Sequence, residues 1–418
     1  MKLKKNKTKL TITNYFFKVM EIKHFYTLFM IFILLASLLF CYLYIEKFNY
    51  IVDDYNNLVF KKITFGHGPL IHNLIFNNVY QGEFLDRIYI IQKLPILPIL
   101  IYLLSFISHN FYFIIIAKNL LLFSILIFFL FKYLNSNKID IKNIYIYLIA
   151  YLIPYNMFVT LNFEYADSII AILLPSLLLI LLSQDKHKYL YSSFLLFFLY
   201  LTKNSSLFLC ILVPIYIILF EKKNKYKSQK YLILIGPLLA MVIWASFSYF
   251  KTGRLAYGSN ILSVNSLGMD IVLNKDFSNY FPDKSLDLIQ SKNEYPNNIT
   301  DEWELSDHYK NKNYIYLSEK KNLFDFFSNF SKKILFIFFN IRKDALHPDI
   351  NGNFDNSIRY SQIPNKIFFN IAIILSITII IKKFLKRNLH IYDDFMFLFV
   401  VGTYILPFVL AWSTSKHL

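Results

Sequence analysis

From Phe111 to Phe131 the chain reads FYFIIIAKNLLLFSILIFFLF, with Lys118 as its single charge. A run of about 20 apolar residues is the length a helix needs to cross the hydrocarbon core of a bilayer. Comparable runs lie on both sides, at Phe25–Ile45, Leu94–Ser108, Ile144–Leu161, Ser168–Leu182, Tyr189–Thr202, Ser206–Phe220, Tyr231–Phe250, Ile367–Ile381 and Phe395–Trp412. Short breaks rich in Lys or Asn separate them. The 418 residues are 56% hydrophobic and 17% charged, with a mean hydropathy of +0.43. A soluble domain carries about a quarter charged residues. The composition therefore excludes an ordinary soluble domain and predicts an all-α polytopic membrane protein.

Two other features of composition carry less. Ile, Asn, Lys, Phe and Tyr dominate over Arg and Ala, a bias of AT-rich genomes, so the 19% aromatic content has no functional weight. The net charge of +17 sits in lysines at the ends of apolar runs. That is the pattern of the positive-inside rule and argues against nucleic acid as a partner. Cys41 and Cys210 both lie inside apolar runs, where neither a disulfide nor a metal site is expected. Nothing before Phe25 reads as a cleavable signal peptide, and residues 1–24 form a basic tail.

Charge sets the expected topology. The basic breaks are Lys2–Lys23, Lys132–Lys142, Lys186–Lys188, Lys222–Lys230 and Lys382–Arg387, all assigned to the cytoplasm together with the N-terminus. Residues 25–45 are then the first span and 46–93 an extracytoplasmic loop. Residues 94–250 form a transmembrane bundle, 251–366 a large outer loop and 367–418 the C-terminal helices. The turns near Glu164 and Lys203 also face outward. Leu94–Ser108 is short and contains Pro95 and Pro98. A full crossing there would invert every later break, so it reads as a broken or re-entrant piece, the other solution being one more span elsewhere. In the large loop, Lys251–Asn298 is irregular, Thr300, Asp301 and Glu302 signal a helix start, and Ile334–Phe339 reads as part of an interfacial helix.

The residues able to carry chemistry gather on the outer side of this scheme. Asp53 and Asp54, in NYIVDDYNNL (49–58), could supply a general base or hold a divalent cation; the plainer reading is a solvated helix end. Arg87 and Lys93 follow in GEFLDRIYIIQKLPILPILI (82–101). Lys203, in LYLTKNSSLF, sits between two apolar runs, where a cation either pairs, faces an aqueous cavity or snorkels to the interface. Glu164 and Asp167, in TLNFEYADSII, enter the next run and suit the positive end of a helix. His67, His72, His109, His308, His347 and His417 lack metal-ligand spacing. There is no P-loop, dinucleotide fingerprint or Gly-x-Ser-x-Gly, and no repeated half of the kind built into many transporters.

In their order these features resemble the polytopic glycosyltransferases of the GT-C superfamily, in particular the protein-mannosyltransferase-like branch. The matching pieces are the basic tail and first span, VDDYNNL, RIYIIQKLPILPILIYLL, FEYADSIIAILL, LTKNSS and GRLAYGSNILSVNSLGMD, then the amphipathic YIYLSEKKNLFDFFSNFSKKILFIFF and the terminal TSKHL. The resemblance implies a GT-C-like bundle of about nine to eleven transmembrane helices with two long extracytoplasmic loops. It implies a polyprenyl-phosphate sugar as donor, and a hydroxyl of a glycan, lipid or protein as acceptor. Lys203, Lys93 and Arg87 would bind the donor phosphate. Asp53 or Asp54 would be the base of an inverting transfer, with Glu164 and Asp167 in acceptor or supporting roles. A divalent cation is the one cofactor left open. The setting would be a bacterial cytoplasmic (inner) membrane. Two departures stand out. The motif is Asp-Asp-Tyr rather than Asp-Glu, which leaves the identity of the base open. The chain stops at Leu418 where relatives usually continue, which leaves two expectations open: that the final helices are absent, or that this is a truncated product. The rival readings are a polysaccharide polymerase or ligase, and a non-enzymatic flippase or transporter. The last would place charges at mid-membrane depth in several runs, and here Lys118 is nearly alone.

Overall fold

The computed structural model describes residues 27–39, 41–42, 67–84, 87–91, 93–137, 166–220, 227–259 and 301–308, with the single residues 363, 367, 370, 371, 374 and 378. The structure is mostly helical, at 80% of these residues. Asp53, Asp54, Glu164 and the run Ile144–Leu161 lie outside them. In chain order come α1 (Thr27–Leu39), α2 (Gly68–Asn77), β1 (Gly82–Phe84), β2 (Arg87–Tyr89) and α3 (Ile96–Ser105). They are followed by α4 (Phe111–Asn137), α5 (Asp167–Leu182), α6 (Lys188–Tyr200), α7 (Leu207–Phe220) and α8 (Ile235–Thr252). Residues 302–308 are helical as well.

Among the described residues, two helical stretches are long and apolar enough to cross a membrane: α4 with 27 residues, and Gln229–Thr252 with 24, which joins α8 to the turn before it. The core runs through α4, α5, α6 and α8, each packed on the next. It is filled by Leu126 and Leu130, Leu173 and Leu177, Leu195 and Leu199, and Ala240 and Trp244. At one crossing α6 and α8 approach so closely that a Cβ on Gly236 would lie 1.8 Å from the Ser193 carbonyl oxygen. The glycine N–H instead donates to Ser193 Oγ at 2.7 Å. The outward side of the bundle is apolar too. Ile235, Leu238, Leu239, Val242 and Ile243 form an exposed stripe at helical spacing along α8. Soluble monomers rarely leave such a continuous apolar surface uncovered.

The ends of the helices sort the charges. At one end Lys132 Nζ of α4 donates to Asp185 Oδ2 at 3.1 Å, Asn137 Nδ2 donates to the Leu182 carbonyl, and Lys230 Nζ donates to the Ile218 carbonyl. Three of the basic breaks thus reach one end of the bundle. α1 runs antiparallel to α4: Phe29 packs edge-on against Phe123, while Asn119 Nδ2 donates to Ser37 Oγ at 3.1 Å. Thr27 therefore lies toward the Asp185 end and Tyr42 toward the other. At that other end stand Asp167, Lys203, Lys93 and the C-terminus of α8.

One short run fits the expected outline and one stretch departs from it. The run Leu94–Ser108 folds as the ten-residue α3, about 15 Å long and half of a hydrocarbon core. Pro95 and Pro98 fit only the first turn of a helix, where no backbone N–H is needed. The polar stretch 46–93, expected to be a loop, contains α2 and the hairpin β1–β2, so the strictly all-α outline gives way to a mostly helical one. α2 has proline in its first turn, buries Leu70 and Ile71, and stops at Asn78 in the left-handed region (φ 55°). In the hairpin Gly82 faces Tyr89, and a Cβ on the glycine would fall 2.2 Å from the tyrosine Cζ. Helix and hairpin were missed because their apolar stretches are short, and short runs carry little period.

Candidate functional site

The site assembles where the loop before α3, the start of α5 and the turn between α6 and α7 meet. Asp167 opens α5, with its carboxylate in the first turn, where the helix dipole favours negative charge. Lys203 lies within the α6–α7 turn in extended backbone (φ −161°). Its Nζ donates to Asp167 Oδ1 at 2.5 Å, with the side chains 22% and 13% exposed. Lys203 is thus paired. The structure also explains Asp167 twice over, as a helix-end charge and as a counterion.

Lys93 is the third member. Burial pushes its ammonium down to about 8, the Lys203 charge pushes the same way, and Asp167 opposes both. Among the described residues Lys93 makes no ion pair of its own. Lys203 is also lowered, because burial outweighs the attraction and hydrogen bond of Asp167. Among the described residues, two cations thus lie beside the Asp167 carboxylate at the edge of an apolar bundle. Such a cluster is suited to an anion that would complete its charge.

The backbone at Lys93 is fixed on both sides. Tyr80 Oη donates to the Lys93 carbonyl at 2.8 Å, and the tyrosine ring packs edge-on against Trp244 and Phe247 of α8. The Ile96 N–H donates to the Leu201 carbonyl at 3.2 Å, tying the start of α3 to the end of α6. Arg87 is placed by its backbone in β2, paired with Phe84.

Two contributors were not identified from sequence. The Glu302 carboxylate, 6% exposed, accepts the N–H groups of Ile90 and Ile91 at 3.1–3.2 Å, a contact across more than 200 residues. Asn204 Oδ1 accepts the Ser259 N–H at 2.8 Å and its Nδ2 donates to the Ser259 carbonyl, so the turn holding Lys203 is tied to the exit of α8. A signal for the first existed, since Asp301 and Glu302 read as a helix start. Asp301 is indeed that cap, its Oδ1 accepting the N–H groups of Trp303 and Glu304. Its neighbour's long-range partner left no local trace.

Asp53, Asp54 and Glu164 fall outside the described residues. Among the described residues no group of three His, Cys, Asp or Glu side chains is arranged to hold a metal ion. The Lys–Asp–Lys cluster therefore offers charge and hydrogen-bond donors, not a described metal centre. Compared with family models, curated proteins and solved structures, the chain matches none.

Proposed function

We propose that this chain is a multi-pass membrane glycosyltransferase that moves a sugar from a polyprenyl-phosphate carrier to an acceptor hydroxyl on the extracytoplasmic face. The observation that carries the reading is the meeting of Lys93, Lys203 and Asp167 at the bundle end opposite Lys132 and Lys230. Lysines held at a membrane face are suited to a phosphate whose lipid remains in the bilayer. The apolar stripe on α8 and the two spanning-length helices support the membrane setting. The sorting of basic breaks supports a cytoplasmic Asp185 end.

In the proposed reaction the acceptor oxygen bonds to the anomeric carbon, the bond from that carbon to the phosphate oxygen breaks, and polyprenyl phosphate departs. Lys93 and Lys203 balance the charge that grows on the leaving phosphate. The hydroxyl proton passes to Asp53 or Asp54, in the proposed extracytoplasmic stretch that follows the first span. One displacement inverts the sugar configuration. Membranes holding the chain should transfer label from polyprenyl-phosphate sugars to an endogenous acceptor, and membranes with Lys203→Ala should transfer far less at the same low donor concentration. Equal transfer by both would defeat the assignment. Cysteine at Asn56 should react with an impermeant thiol reagent in intact cells, and protection until lysis would overturn the topology.

A further inference from the structure

We infer that Glu302 is a positioning residue that fixes Lys93 from the far side of the sequence, and the inference rests on the reading of Lys93 as a phosphate ligand. Ile90 N–H reaches Oε1 at 3.1 Å, and Ile91 N–H reaches Oε1 at 3.2 Å and Oε2 at 3.1 Å. Hydrogen bonds to a buried carboxylate are the strong kind, and these hold backbone rather than a movable side chain. Lys93 follows two residues on. Tyr80 then holds its carbonyl, and the Ile96–Leu201 bond fixes the chain beyond it.

Glu302 is itself held firmly. Asp301 caps its helix, and Leu305 on the same helix is buried. On the outer side Arg254, from the exit of α8, donates through Nη1 to Asp307 Oδ2 at 2.7 Å and lies over the Trp303 ring. Residues 301–308 therefore form a bracket between α8 and the segment leading to Lys93. A lysine loses much rotamer freedom when it is made to meet a ligand. A fixed backbone two residues upstream removes part of that loss before the ligand arrives.

Glu302→Gln keeps the shape, but it replaces one accepting oxygen with an amide that points donors at donors. In the full-length chain, an amine-reactive reagent read by mass spectrometry should label Lys93 about tenfold faster in Glu302→Gln, the effect of losing one charge-assisted hydrogen bond. Lys230, at the opposite end, should label at the same rate in both. An unchanged Lys93 rate in the folded variant overturns the inference. If Glu302→Gln does not insert, amide exchange in the unaltered chain decides. Slow exchange at Ile90 and Ile91 supports the bracket, and exchange at the rate of an open loop overturns it. With a polyprenyl-phosphate sugar as donor, the variant should raise KM about tenfold with kcat kept, and add nothing to Lys93→Met. A fall in kcat alone, or full additivity, would remove the positioning role. Absence of transfer by the unaltered chain would end the glycosyltransferase reading, while the labelling result would still decide the bracket.

Discussion

Each end of the bundle carries a Lys–Asp bridge between neighbouring elements, and the two bridges are not equivalent. Lys132 and Asp185 pair at 3.1 Å with side chains 31% and 15% exposed. Lys132 also lies over the Tyr191 ring, and Asp185 accepts the His187 N–H at 2.8 Å. Burial raises Asp185, but the His187 N–H and Lys132 prevail and hold its carboxyl below the usual range. At the opposite end Lys203 and Asp167 pair more closely, at 2.5 Å, yet burial still pulls Lys203 down, and among the described residues Lys93 stands beside them without an ion pair of its own. One end is locally satisfied. The other, in the proposed reading, is where an anion would bind, and that would separate a binding site from a structural tie.

The largest effect that would sharpen the contrast lies in the acidic motif expected at the Asp167 end. If Asp53 or Asp54 is the base, one of Asp53→Asn and Asp54→Asn should lose about 10²–10⁴-fold in transfer rate and the other should be mild. Initial rates with a polyprenyl-phosphate donor measure this, and wild-type rates in both variants would reduce the pair to a solvated helix end. Next comes Asp167→Asn. It leaves Lys93 and Lys203 facing each other without that countercharge, and breaking such a pair costs about 3 kcal/mol, the low end for buried bridges. Lys203→Ala should be gentler on stability, since Asp167 keeps the helix dipole and Lys93 nearby, but harsher on donor KM. Denaturant midpoints and donor KM, taken together on both variants, would show whether the two losses trade places in this way.

The pH dependence of the two ends should also differ. A lysine falling from 10.5 unfolded to about 8 folded binds fewer protons in the native state between those values. Stability therefore rises with pH across the window from about 8 to 10.5, since the unfolded chain holds more protons there. Donor binding should move oppositely, weakening as pH rises through about 8 and the Lys93 cation is lost. A KM that climbs above pH 8 while the melting temperature rises would identify Lys93. A KM flat across that window would remove it from the site, and Lys93→Met should abolish the dependence.

Much of this contrast was legible in the sequence. The apolar runs that became α4, α5, α6, α7 and α8 were located to within a few residues, because one physical property, length of apolar run, decides them. α4 continues past its expected end at Phe131 because Lys132 can reach Asp185 and Ser136 can accept the Gln184 N–H. Lys203 and Asp167 were both identified singly, but their pairing was not, since 36 residues separate them and no local period links them. Gly82 and Glu302 were illegible for the same reason. Their demands come from Tyr89 across a hairpin and from Ile90 and Ile91 across the chain, and only folding brings those neighbours together.

The smallest expected effect belongs to the satisfied end, and its smallness is the test. Lys132→Ala removes a partly exposed ion pair and a cation–π contact at 4.9 Å from the Tyr191 centroid. Exposed pairs contribute up to about 1 kcal/mol, and salt screens them further. What remains at Asp185 still accepts the His187 N–H, so no carboxylate is left stranded. Lys132→Ala should therefore shift the unfolding midpoint slightly, and leave donor KM and its pH profile unchanged. A Lys132–Asp185 double-mutant cycle should give a smaller coupling than the Lys203–Asp167 cycle, and one that salt diminishes. The Lys203–Asp167 coupling should resist salt, being better shielded from solvent. Equal couplings with equal salt sensitivity would make the two ends energetically alike. The proposed difference between a tie and a site would then have no physical basis.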